Sequence, residues 1–129
     1  MKKILVADVP HMDDRYAAAF AGWEVAFVRT LAEARQALAA TRYDLMAIGV
    51  YFDHSQMFDL VRAIRNDERH AELPIVCVRG RPGFTAVTTR TLEMSCKALG
   101  ADEFIDLVRY PDDDAGNAAL RAAGERLSA

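Results

Sequence analysis

The chain is poor in several features that would announce a specialised class. Two cysteines among 129 residues, Cys77 and Cys96, make no CxxC spacing and no framework of pairs, which excludes a disulfide-stapled scaffold and a cysteine zinc site. They read as reduced core thiols of a cytoplasmic protein. No apolar run approaches the roughly 18 residues of a membrane span. Cationic excess is missing too, since sixteen Lys and Arg face nineteen Asp and Glu for a net charge of −3. That balance argues against a dedicated nucleic-acid binder. Neither GxGxxG nor GxxxxGK[ST] occurs.

What remains is the composition of a globular domain, 52% hydrophobic and 27% charged. At 14.3 kDa, surface scaling predicts roughly 6,800 Å² folded against roughly 20,700 Å² extended, so one domain over residues 1–129 can bury a sizeable core.

Five short apolar runs recur: Ile4–Ala7, Glu24–Val28, Leu45–Val50, Ile75–Val78 and Phe104–Val108. Their Val and Ile content and their lack of polar alternation predict strands covered on both faces, as in a parallel sheet. Parallel strands need crossover helices, and the intervals supply them. Met12, Tyr16 and Phe20 recur at four-residue spacing before Gly22. Thr30 and Glu33 form a capping box ahead of Leu31, Ala34 and Leu38. Ser55 is read as the N-cap of a helix whose stripe is Met57, Leu60, Val61 and Ile64, with Arg62, Arg65, Asn66 and Asp67 on a solvated face. A fourth helix is predicted from about Phe84 to Leu99, with Val87, Thr91, Met94 and Ala98 inward. The last runs from about Pro111 to Leu127 behind three aspartates and buries Leu120, Ala123 and Leu127. Right-handed crossovers then give an α/β doubly wound (βα)₅ three-layer sandwich, with ligands expected at the carboxyl ends of the strands.

With "KKILVAD", "YDLMAIGV…FDLVRAIRND", "ELPIVCV" and "ALGADEFID", the chain resembles the receiver domain of bacterial response regulators over nearly its whole length. The resemblance implies the flavodoxin-like strand order 2-1-3-4-5 and a non-enzymatic part in two-component phosphorelay signalling. It also implies an aspartate after the third strand that accepts a phosphoryl group, Mg²⁺ held by acids after the first strand, a Thr or Ser after the fourth and a Lys after the fifth. Carried over, the acceptor position falls on Gly49, the metal acids on Asp8 and Val9, the Thr/Ser position on Arg79 and the Lys position on Leu107. Asp53 stands where the family usually has Pro, Met57 where it has a loop Gly, and Phe104 keeps the aromatic of the last strand.

Glycine carries no nucleophile, so no aspartyl phosphate can form at residue 49. One carboxylate is a poor Mg²⁺ site, so no cofactor is expected, and a transition-metal set of Asp8, His11, Asp53 and His54 matches no strong spacing. Arg79 is the expected ionic partner of Asp8 or Asp53. The expected function is that of an atypical receiver acting through protein contacts. Its partner or dimer face would comprise Leu99, Phe104, Leu107 and Tyr110. The alternatives are a receiver phosphorylated at the displaced Asp53, or a small-anion or metal sensor, the anion resting on the loop of Arg79, Gly80, Arg81 and Gly83.

Overall fold

In a computed structural model of the chain, which describes residues 1–81 and 86–129, five parallel strands form one sheet in the order β2-β1-β3-β4-β5. The strands are β1 (Lys3–Ala7), β2 (Glu24–Val28), β3 (Leu45–Gly49), β4 (Ile75–Arg79) and β5 (Glu103–Asp106). The helices are α1 (Asp13–Ala19), α2 (Leu31–Ala40), α3 (Met57–Asn66), α4 (Ala86–Leu99) and α5 (Asp113–Leu127). The folded surface is 6788 Å², close to the value that chain mass alone predicts.

Side chains alternate across the sheet, and this pleat divides the core in two. Ile4, Val6, Leu45, Ala47, Val76 and Val78 face α1 and α5, where they meet Tyr16, Phe20, Leu120 and Ala123. Leu5, Ala7, Met46, Ile48, Ile75 and Cys77 face α2, α3 and α4, where they meet Leu38, Leu60, Ile64 and Cys96. Burial on both faces is why the central strands read as unbroken apolar runs. Gly124 of α5 lets that helix approach closely, because a Cβ there would lie 2.7 Å from the Phe20 ring and 2.9 Å from Leu45. No helix among the described residues is long and apolar enough to cross a membrane.

Several local expectations change. The Thr30 hydroxyl accepts from Glu33 N–H as a cap, while the Glu33 carboxylate takes the Arg29 N–H, one residue before the cap. Ser55 does not cap α3. It lies in a turn where Asp53, His54 and Ser55 all have positive φ, and Gln56 precedes the helix instead. The last strand stops at Asp106, because its carboxylate accepts the Val108 N–H and folds Leu107–Arg109 into a 3-10 turn. Among the α4 residues whose burial is described, Thr89 and Cys96 are buried, with Leu92 and Leu99 packed against the core, whereas Thr91, Met94 and Ala98 are exposed. With Ala and Thr on every side of this helix, apolar spacing did not single out the inner face. The predicted start at Phe84 lies outside the described residues, and the side chain of Val87 is not described.

Arg65 is not on a solvated face. Its side chain is 17% exposed, its Nε donates to Gly100 O at 2.9 Å, and its Nη1 donates to Leu73 O at 2.7 Å and His70 O at 3.3 Å. Its Nη2 meets the Asp102 carboxylate at 3.0 Å, which also accepts the Ile75 N–H. One guanidinium thus joins the end of α3 to the starts of β4 and β5, satisfying carbonyls that water cannot fully reach. Arg65→Ala is expected to cost about 2–4 kcal/mol in urea unfolding; a cost under about 0.5 kcal/mol, ordinary for a surface change, would show that the hub is dispensable.

Candidate functional site

The carboxyl ends of β1, β3, β4 and β5 bring together the residues singled out from sequence, and pleat parity decides which of them meet. Asp8 continues the Ile4, Val6 side of β1, and Gly49 continues the Leu45, Ala47 side of β3, so both address α1. The Asp8 carboxylate is 4% exposed, accepts the Tyr16 hydroxyl at 2.6 Å and accepts its neighbour's N–H, from Val9, at 2.7 Å. It fills the volume that a side chain at residue 49 would need. A Cβ built on Gly49 would lie 2.1 Å from Asp8 Cγ and Oδ1 and 2.2 Å from Oδ2.

Burial raises the Asp8 carboxyl above its ordinary range, against the lowering pull of the Tyr16 hydroxyl, the Val9 N–H and the His11 and Arg29 charges. Burial, with the adjacent Asp8 charge, pushes the Tyr16 hydroxyl well up, so it stays a donor. The Arg29 guanidinium sits over the same edge, with Nη1 donating to Asp8 O at 3.0 Å and Nη2 to Asp13.

Arg79 and Asp106 lie on the opposite side of the sheet, the side of Ile75 and Cys77. The two are register partners on β4 and β5. Arg79 Nη2 donates to Asp106 Oδ2 at 3.1 Å, and Nε lies 3.1 Å from Oδ1 as an ion-pair contact without hydrogen-bond alignment. Nη1 donates to Arg81 O. The expected pairing of Arg79 with Asp8 or Asp53 is therefore corrected: the pleat sends Arg79 to the other face, where Asp106 neutralises it. Asp106 was not among the sequence candidates. Counting pleat parity along β4 and β5 would have found it.

Asp53 is likewise engaged. Its φ of 42° turns the chain so that its carboxylate accepts the Leu31 N–H at 2.8 Å, at the start of α2. Val9 packs beside the α1 core. Among the described residues no three His, Cys, Asp or Glu side chains gather into a metal-ligating cluster, so Asp8, His11, Asp53 and His54 do not form one. The residues present do not fit Mg²⁺, since Asp8 is turned inward to Tyr16 and its neighbour is apolar. Phe104 and Leu107, expected on a partner face, are buried on opposite sides of the sheet, and Leu99 is packed against the core. Tyr110 is 36% exposed, together with Val108 at 39% and Met94 at 65%, which the sequence reading did not place there. Of the predicted anion loop, Gly83 lies outside the described residues and Arg79 is already neutralised.

Comparison with solved structures places this arrangement among known folds. A response regulator from Hahella chejuensis matches with a TM-score of 0.77 and 18% identity, over 98% of this chain and 95% of that one. The signal receiver domain of a signal transduction histidine kinase from Syntrophus aciditrophicus matches with a TM-score of 0.74 and 23% identity, over 99% and 90%. The phosphorylated cyanobacterial phytochrome response regulator RcpA matches with a TM-score of 0.72 and 18% identity, over 96% and 91%. The fold is the receiver-domain fold. No model of a known protein family and no curated protein matches the chain. The likeness is thus one of architecture.

Gly49→Ala should force the Asp8 carboxylate off Tyr16 and lower stability by about 2 kcal/mol or more, whereas the same change in an Asp8→Ala background should cost under about 1 kcal/mol. Equal costs in a chemical-denaturation cycle would show that the two positions do not compete for space. The sign of the pH dependence follows from the raised Asp8 carboxyl. The fold holds this proton more tightly than the unfolded chain, so the stabilisation is complete below the unfolded value of 3.8 and is lost as pH rises through the folded value. The stability of the wild type relative to Asp8→Asn should therefore fall as pH rises through that range; a difference that rises or stays level contradicts the assignment.

Proposed function

We propose that this chain is an atypical receiver, a signalling domain of two-component type that acts through protein contacts and not through an aspartyl phosphate. The observation that carries the reading is the Asp8 carboxylate seated in the space above Gly49. An acceptor needs a free carboxylate at the strand edge beside a metal, and here residue 49 has no side chain while the neighbouring acid faces inward. Arg79 and Leu107, at the positions the resemblance gives to Thr/Ser and Lys, support the same reading, since one is paired with Asp106 and the other is buried.

With no covalent modification to shift its populations, such a domain responds to a partner only through differential affinity for its states. The partner in this reading is a protein of the signalling pathway or a second copy of the chain, met in the cytoplasm. Among the described residues, Met94, Val108 and Tyr110, with Met1 at the chain start, are large apolar side chains exposed to it. No catalytic role and no Mg²⁺ are assigned.

Incubation with acetyl phosphate and Mg²⁺ followed by intact-mass measurement tests the proposal. The mass should not change. A single-phosphate adduct that disappears in Asp53→Asn would establish the displaced acid as an acceptor and overturn the reading.

A further inference from the structure

The strand edge at which the resemblance would place a phosphoryl group opens sideways into a pocket of about 470 Å³ between β1, the start of α2 and the turn after β3. Its volume lies within the range of small-molecule sites. Among its walls are Arg29, Thr30, Tyr51, His54, Ser55 and Arg81. Each carboxylate around it meets an internal donor: Asp8 the Tyr16 hydroxyl and the Val9 N–H, Asp53 Oδ2 the Leu31 N–H, and Asp13 Oδ2 the Arg29 guanidinium. Arg29, Arg81, His54 and Ser55 bring donors to the opening, beside an Asp53 carboxylate held through Oδ2 on the Leu31 N–H.

Arg81 is exposed, and its guanidinium lies 4.7 Å from the centroid of the Tyr51 ring. Among the described residues it makes no ion pair with a carboxylate. This cation–π contact places the guanidinium over the Tyr51 ring, at the wall of the pocket. Arg29 uses one N–H on Asp8 O and one on Asp13, and a guanidinium has five to offer. His54 and Ser55 are exposed on the left-handed turn that walls the pocket, and no carboxylate or carbonyl among the described residues accepts from them. Such backbone strain persists where surrounding structure holds it, here through the bond from Leu31 N–H to Asp53.

We propose that this pocket binds a compact organic anion, its phosphate or carboxylate head group held by Arg81 and Arg29 and oriented by His54 and Ser55. The site differs from the loop that the sequence suggested, because Arg79 and Gly80 take no part in it. It is noncovalent and needs no metal, so it stands whether or not the domain recruits a protein partner.

Isothermal titration with inorganic phosphate and with succinate, against chloride at equal ionic strength, tests it. Saturable binding of at least one of the two is expected, and Arg81→Ala should weaken it about tenfold or more, the loss expected of a charge-assisted hydrogen bond. Arg69→Ala, an exposed arginine at the opposite end of the sheet, should leave it unchanged. Phosphate binding alone would identify the head group as a phosphate ester, and succinate binding alone as a carboxylate. Binding of neither anion beyond chloride, or equal binding by Arg81→Ala, overturns the site.

Discussion

The hydrogen bond from the Tyr16 hydroxyl to the buried Asp8 carboxylate is the constraint around which this end of the molecule is organised. A carboxylate taken out of water needs donors, and Tyr16 with the Val9 N–H supplies them. It also needs space, which the missing side chain at Gly49 provides. The three residues are one unit: the acid turns inward because position 49 is empty, and position 49 must stay small because the acid has turned inward. The Asp8 carboxylate is thereby withdrawn from the strand edge into the core.

The other charged groups at that edge obey the same rule of internal satisfaction on separate faces. Arg79 and Asp106 are both largely buried and neutralise each other across β4 and β5. Removing one partner of such a pair strands the other's charge, so the pair holds the sheet edge in a single arrangement even if its net stabilisation is small. Asp53 fastens the turn after β3 to α2. With Asp8 and Asp106 turned to internal donors, Arg29, Arg81, His54 and Ser55 are left around the opening at this edge, and they are the basis of the anion pocket.

Much of the architecture was legible in the sequence. Strands buried on both faces must be apolar throughout, and the five runs located every strand of the sheet, with errors of one or two residues at their ends where a polar side chain redirects the backbone, as Asp106 does. The helix start capped by Thr30 was equally readable. The site was less so, because its contacts join residues distant in the chain. Asp106 bonds to Arg79, Asp53 to Leu31, and Asp102 to Arg65. Spacing along a strand could have separated Arg79 from Asp8 by face, but the inward turn of Asp8 depends on Tyr16 reaching back from α1, which no local pattern encodes. The exposed side of α4 failed for a different reason, since alanines and threonines leave the hydrophobic stripe undefined.

The central claim is that Asp8 is an interior group and not a metal ligand. A titration with Mg²⁺ followed by two-dimensional amide NMR tests it directly. The Val9 and Gly49 amide signals should show no saturable displacement, in the wild type as in Asp8→Asn. Saturable displacement of those signals in the wild type, abolished by Asp8→Asn, would show that the carboxylate faces solvent and binds the cation, and would contradict the account.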